Sequence, residues 1–273
     1  AVAQQYMGYF QGRSSHWTAA DQRPLRHAVP EQRTRIYDIR QVIETLCDEG
    51  SVLELRPRFA SGMVTALARL EGRPVGIIAN DPRHLGGAID ANCADKAARF
   101  MQLCDAFDIP LVSLCDTPGF MVGPDAEKTA TVRHFSRMFL AASSLSVPFF
   151  VVVLRKGYGL GAQAMTAGSL LAPEFTVSWP TGEFGPMGIE GAVHLGFSKQ
   201  LEAIADAAQR QQVFDGLVAA AYERGKALNM AAHLELDDVI DPADTRRWLV
   251  RGLASMPQLA PRQGRKRPFV DAW

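Results

Sequence analysis

The chain is 273 residues long and balances 29 Lys and Arg against 29 Asp and Glu. Its 47% apolar and 21% charged residues are enough for a sizeable core and exclude disorder over the whole length. Zero net charge excludes a role dominated by electrostatic capture of nucleic acid or an anionic membrane.

Residues 1–35 hold Gln, Arg, Ser and Pro with few periodic apolar positions, and Pro24 and Pro30 interrupt any helix, so this stretch is expected to be a connecting arm. Ala1–Gly12 lacks a basic segment followed by an apolar one, so no secretory signal is expected. Ile36, Ile39, Ile43 and Leu46 then mark a helical stripe ended by Gly50, where the packed domain is expected to begin. Strands are predicted at Val64–Leu70, Val75–Ala79, Leu111–Cys115, Phe149–Leu154 and Phe175–Trp179. Several are apolar at successive positions, as in strands covered on both faces. Helices are predicted at Ala94–Phe107, with Ala97, Phe100, Met101, Cys104 and Phe107 on one face, and at Glu127–Leu145, with Val132, Phe135, Met138, Phe139 and Ala142 on one side. Strand, loop and helix in alternation predict an α/β layered fold. After residue 196 helices are predicted at Leu201–Ala208, Val213–Leu228 and, opened by Asp241 and Pro242, Arg246–Ala254. Arg262, Arg265, Lys266 and Arg267 are expected to form a solvated tail. The longest strongly apolar run, Phe149–Leu154, is far shorter than the roughly 20 residues of a spanning helix.

Cys47, Cys93, Cys104 and Cys115 form no CxxC pair and no two His sit at ligand spacing, so no zinc site is expected. Scattered thiols suit a reducing cytosol, and Cys104 and Cys115 are expected to be small buried hydrophobes. No G-x-S-x-G elbow is present, because Leu171 stands where the closing glycine after Ser169 belongs. No GxxxxGK[ST] loop occurs, and Gly157, Gly159 and Gly161 lack the distal glycine of a dinucleotide fingerprint. Glu183 and Glu190 are expected to be solvated turn residues, His84 a surface histidine and His134 a structural one.

Glycine placement is the remaining signal. Gly157-Tyr-Gly-Leu-Gly-Ala-Gln-Ala-Met165 follows a buried strand, and a helix is predicted to begin at Gly159–Gly161. Such a junction leaves backbone N–H groups without intrahelical partners, near the positive end of the helix dipole. Two readings follow from the residues alone: an oxyanion pocket of backbone donors, or a tight connection where close packing demands glycine. Asp116-Thr-Pro-Gly-Phe120 forms a turn by composition, and Phe120 and Met121 at its tip are of the kind that walls a ligand site.

From about Arg35 to Leu253 the chain resembles the carboxyl-terminal half of the carboxyltransferase β-subunit of biotin-dependent acyl-CoA carboxylases, of the propionyl-CoA type. The matching stretches are Arg35-Ile-Tyr-Asp-Ile-Arg40, Gly72-Arg-Pro-Val-Gly-Ile-Ile-Ala-Asn80, Asp95-Lys-Ala-Ala-Arg-Phe100, Cys104-Asp-Ala-Phe-Asp-Ile-Pro110, Asp116–Phe120, Leu154-Arg-Lys-Gly-Tyr-Gly159, Trp179-Pro-Thr181 and Met187-Gly188. The resemblance implies a crotonase-like ββα superhelix and transfer of a carboxyl group from carboxybiotin to the α-carbon of an acyl-CoA. It implies backbone oxyanion holes instead of a central side-chain acid or base. By position the donors here would be the N–H groups of Leu160 and Gly161 in the loop Tyr158–Ala162, with Gly159 beside them. Gln163 would line the acyl or biotin pocket, and Gly119 and Phe120 would border it. Many relatives carry Gly-Gly-Ala where this chain has Gly159-Leu160-Gly161, so the hole requires a negative φ at Leu160.

The resemblance further implies an arm, 1–35, leading from an amino-terminal half, and a crotonase-like domain over 36–273 that supplies the biotin-facing wall. The implied partners are a biotin carboxyl carrier or biotin carboxylase subunit and further copies of the chain, as a dimer or higher oligomer in the cytoplasm. The rival readings are a free-standing acyl-CoA hydratase/isomerase or decarboxylase on the same fold, and a non-catalytic dimerisation and carrier-docking module.

Overall fold

Runs rich in β-branched residues become strands, because stiff side chains pack well on a pleated surface. The computed structural model describes residues 2–257 together with Gly264, Lys266, Arg267, Val270 and Asp271. Its strands are β1 (Leu53–Glu54), β2 (Met63–Leu70), β3 (Arg73–Asn80), β4 (Leu111–Thr117), β5 (Phe149–Tyr158), β6 (Phe175–Ser178), β7 (Glu183–Gly185) and β8 (Asp238–Val239). Pairing is antiparallel from β1 through β3 and parallel from β3 through β4, β5 and β6 to β8, while β7 pairs with the end of β5. The helices are α1 (Val2–Gly8), α2 (Ile39–Leu46), α3 (Ala91–Ala106), α4 (Pro124–Glu127), α5 (Thr131–Ser143), α6 (Gly159–Met165), α7 (Ile189–Gly196), α8 (Ser198–Glu202), α9 (Ala207–Arg224), α10 (Ala227–Ala232) and α11 (Thr245–Ser255).

The sheet is covered on both faces, and β5 shows how. Val151 and Val153 join the cluster under α3 and α5, while Phe150, Val152 and Leu154 face the cluster that holds α2 and α11. A third, small cluster gathers Tyr158, Ile189 and Val193, with Phe214 and Leu217 of α9 packed against it.

Several expectations shift, each for a local reason. The first 35 residues are less of an arm than their composition suggests, because Tyr9, Leu25 and Val29 are buried in the two large clusters. Ile36 lies outside the helical stripe and is exposed, since α2 starts after Asp38, whose side chain accepts the Arg40 N–H. The helix expected over Glu127–Leu145 splits into α4 and α5 at Ala130, which takes a positive φ of 54° and leaves Val132 exposed. Phe107 falls just past α3 and is exposed, its ring against that of Phe10. The helix expected at Leu201–Ala208 is broken, because Asp206 caps α9 by accepting the Gln209 N–H. All four cysteines are buried and free, and burial pushes the Cys47 and Cys93 thiols up to about 12.

The basic tail is not simply solvated. Arg267 and Lys266 pair with Asp105, a residue 2% exposed at the end of α3, whereas Arg262 and Arg265 lie outside the described residues. Burial pushes the Asp105 carboxyl up, but the Ser146 N–H, Arg267 and Lys266 outweigh it and hold it below the usual range. Asp81 behaves alike, with burial outweighed by Arg83 and Arg40. Both carboxyls therefore bind protons less readily folded than unfolded, so their stabilisation is present above about pH 4 and lost as pH falls through the depressed folded values. The urea midpoint is expected to fall steadily between about pH 5 and pH 2, and less so in Asp105→Asn; a midpoint flat across that range in the unsubstituted chain contradicts this.

Candidate functional site

The glycine-rich junction is where β5 becomes α6. Tyr158 is the last extended residue, and Gly159 follows at φ 57°, in the left-handed region. A Cβ on Gly159 would also stand 2.7 Å from the Pro186 carbonyl oxygen, so conformation and space both demand glycine. Leu160 has a negative φ, the condition its side chain had to meet. Among the described residues neither the Leu160 nor the Gly161 amide donates to a backbone or side-chain acceptor. Two adjacent donors are thus left free at the first turn of a helix, where the dipole adds partial positive charge. Gly161 packs tightly: a Cβ there would lie 2.7 Å from Gly119 Cα, so the Pro118–Phe120 turn sits directly against this first turn.

A cavity of about 510 Å³ opens beside the junction. Gly159 and Ala162, on either side of the two free amides, line it together with the exposed Gln163. Gly119, Phe120, Tyr158, Leu160 and Gly161 do not. The Phe120 ring stacks on that of Phe135, with centroids 3.9 Å apart, and Leu160 points outward at 62% exposure. Tyr158 is buried and donates its hydroxyl to Glu183 at 3.0 Å, and burial together with that carboxylate pushes its pKa well up. The glutamates expected to be solvated are therefore engaged: Glu183 by Tyr158, and Glu190 by the Tyr222 hydroxyl at 2.8 Å. His134 meets Asp95 at 2.8 Å, and His84 stands 3.6 Å from Asp90.

Phe184 of β7 and Pro186 just after it also line the cavity, as do Arg224 and Glu235. The last two come from the end of α9 and from beyond α10; nothing in their local sequence marks them, since only the tertiary fold brings them here. Arg33 places its guanidinium 3.4 Å over the Tyr222 ring, so the first 35 residues also touch α9. Asp116 and Thr117 belong to β4 and not to the turn after it, and Lys156–Tyr158 belong to β5. Burial lowers the Lys156 pKa, and nearby Asp116 offsets part of that.

The carboxyl transferase domain family matches residues 10–266 of the chain. The methylmalonyl-CoA carboxyltransferase 12S subunit of Propionibacterium freudenreichii subsp. shermanii is 41% identical over 234 residues, covering 84% of this chain and 43% of that subunit. The propionyl-CoA carboxylase carboxyltransferase subunit of Haloferax mediterranei is 38% identical over 230 residues, covering 84% and 44%. The chain thus spans less than half the length of these relatives. Among solved structures, a single-chain, multi-domain long-chain acyl-CoA carboxylase superposes with a TM-score of 0.85 at 58% identity, covering 92% of this chain and 24% of that one. A transcarboxylase 12S hexamer with methylmalonyl-CoA and methylmalonic acid bound superposes at 0.84 with 34% identity, covering 99% and 53%. The α/β architecture shared with these neighbours is crotonase-like.

Proposed function

The chain belongs to the carboxyl transferase domain family, and from that premise we propose that it supplies the biotin-facing half of a site where the α-carbon of an acyl-CoA exchanges a proton for a carboxyl group. The observation that carries this reading is the pair of unclaimed amides on Leu160 and Gly161, flanked by two residues of the cavity wall. Preorganised donors of this kind stabilise a carbonyl oxygen as it gains negative charge, and they need no reorganisation during the reaction. Bound carboxybiotin would supply the carboxyl group. The chain's own part is to donate from Leu160 and Gly161, to orient the bound group with the Gln163 side-chain amide, and to exclude water with Phe184 and Ile189. Gly119 and Phe120 support the junction from behind, and Tyr158 locks the end of β5 to Glu183.

Residues 36–273 act in this reading as the domain, and 1–35 as a segment that leads into it and packs Tyr9, Leu25 and Val29 onto its core. The partners are a biotin carboxyl carrier or biotin carboxylase subunit and further copies of the chain, in line with the hexamer of the 12S neighbour. A cytoplasmic setting belongs to the same proposal; among the described residues no helix is long and apolar enough to cross a membrane. The test is transfer of labelled carboxyl from a carboxylated biotin carrier to acyl-CoA. The chain alone is expected to bind the carrier weakly and transfer nothing, and transfer is expected once a complementary amino-terminal half is added. Robust turnover of acyl-CoA by the chain alone would refute the half-site.

A further inference from the structure

β4 and β5 run in register from Leu111 opposite Phe149 to Cys115 opposite Val153, and the next bridge joins Thr117 to Gly157. One residue of β4, Asp116, thus faces the three residues Leu154, Arg155 and Lys156 of β5: a bulge. Its last residue, Lys156, and then Gly157 and Tyr158 pair with β7, and the next residue is Gly159. Two residues separate the bulge from the first turn of α6, and bulges commonly re-aim residues beside active sites.

The side chain of Asp116 fills the gap in the ladder. It is fully buried. Its Oδ1 accepts the Lys156 backbone N–H at 3.1 Å and lies 3.7 Å from the Lys156 ammonium. Its Oδ2 accepts from the Tyr37 hydroxyl at 2.9 Å and from Arg155 Nη2 at 3.0 Å. The Asp116 N–H in turn donates to Asn80 Oδ1 at 3.1 Å. Arg155 also donates to the Arg35 carbonyl, and Lys156 to that of Gly86. One carboxylate thus satisfies an amide that the bulge removed from the sheet and neutralises the two cations the bulge brings inward. Among the described residues, Arg155 and Lys156 form their ion pairs with Asp116.

We propose that Asp116 is the positioning residue of the site: its carboxylate holds the β5 bulge in shape and thereby fixes where the Leu160 and Gly161 amides point. The kinetic arm of the test rests on the carboxyl-transfer reading, and the spectroscopic arm does not.

Asp116→Asn keeps the size and an oxygen for the Lys156 N–H but removes the charge. In the full chain, amide chemical shifts of Gly157 through Gly161 are expected to move while those of Val151–Val153 hold. In the assembled enzyme kcat is expected to fall about 100-fold, the scale of a displacement near 1 Å. KM is expected to stay within about threefold, as for donors that act only in the transition state. Should Asp116→Asn not fold, Tyr37→Phe, which removes one donor and keeps the charge, carries the test; the same amides are expected to shift by less and kcat to fall about threefold. Unmoved Leu160 and Gly161 resonances in a folded variant, or a raised KM with kcat kept, overturn the positioning role. Shifted amides in a protein that transfers no carboxyl group support it, and count against the proposed reaction instead.

Discussion

Gly161→Pro is expected to cut carboxyl transfer severely, with kcat reduced about 10²- to 10³-fold, the usual cost of deleting one oxyanion-hole donor. Proline has no N–H to donate, and within the first turn of α6 the missing N–H costs no intrahelical bond. Gly161→Ala separates the donor from the space around it. Alanine keeps the N–H but places a methyl 2.7 Å from Gly119 Cα and C, and 3.0 Å from the Phe120 nitrogen. The two loops must then part by several tenths of an ångström, and transfer is expected to fall about tenfold. Steady-state kinetics on both variants, with circular dichroism to confirm folding, reads the order glycine, alanine, proline. A proline enzyme as active as the alanine one contradicts donation by this amide.

Asp48→Ala is expected to destabilise the fold by about 3–5 kcal/mol, the cost of leaving one member of a buried ion pair alone. Asp48 is 3% exposed and Arg246 8%. The carboxylate accepts the Glu71 N–H at 2.9 Å, the Gly72 N–H at 2.7 Å and Arg246 Nη2, while Arg246 Nη1 donates to the Leu46 carbonyl at 2.7 Å. One cluster therefore ties the end of α2, the turn between β2 and β3, and α11, across 198 residues of chain. Removing the carboxylate strands a guanidinium and two amides. Removing both charges, in Asp48→Ala with Arg246→Met, is expected to cost clearly less than the sum of the single changes, because no buried charge is left unpaired. Urea unfolding of the four-member cycle measures this, and strict additivity contradicts it.

The strands and the glycine junction were legible because their causes are local. Val151–Val153 favour extended backbone wherever they sit, and Gly159 through Met165 carry a helix start in their own composition. Boundaries were harder, although the signals existed: Asp38, Asp90 and Asp206 each cap a helix with their side chains. Those caps place the start of α2 past Ile36 and the start of a new helix after Asp206, before Ala208. What escaped altogether depends on contacts between distant residues. Asp116 looks like one residue of a turn until Tyr37, 79 positions away, and Arg155, 39 away, close over it. The β5 bulge has no glycine or proline to announce it, and Arg224 and Glu235 reach the cavity only through the packing of α9 and α10. The half of the site built on local backbone geometry was thus open to sequence reasoning, and the half built on burial was not.

The most direct measurement is a crystal structure of the assembled enzyme with biotin and an acyl-CoA bound, from which the distances between the nearest ligand carbonyl oxygen and the Leu160 and Gly161 nitrogens are taken. Both are expected at about 2.7–3.1 Å, with each N–H aimed at that oxygen. Amides bonded to acceptors within the protein, or turned away from the ligand, would contradict backbone catalysis at this junction.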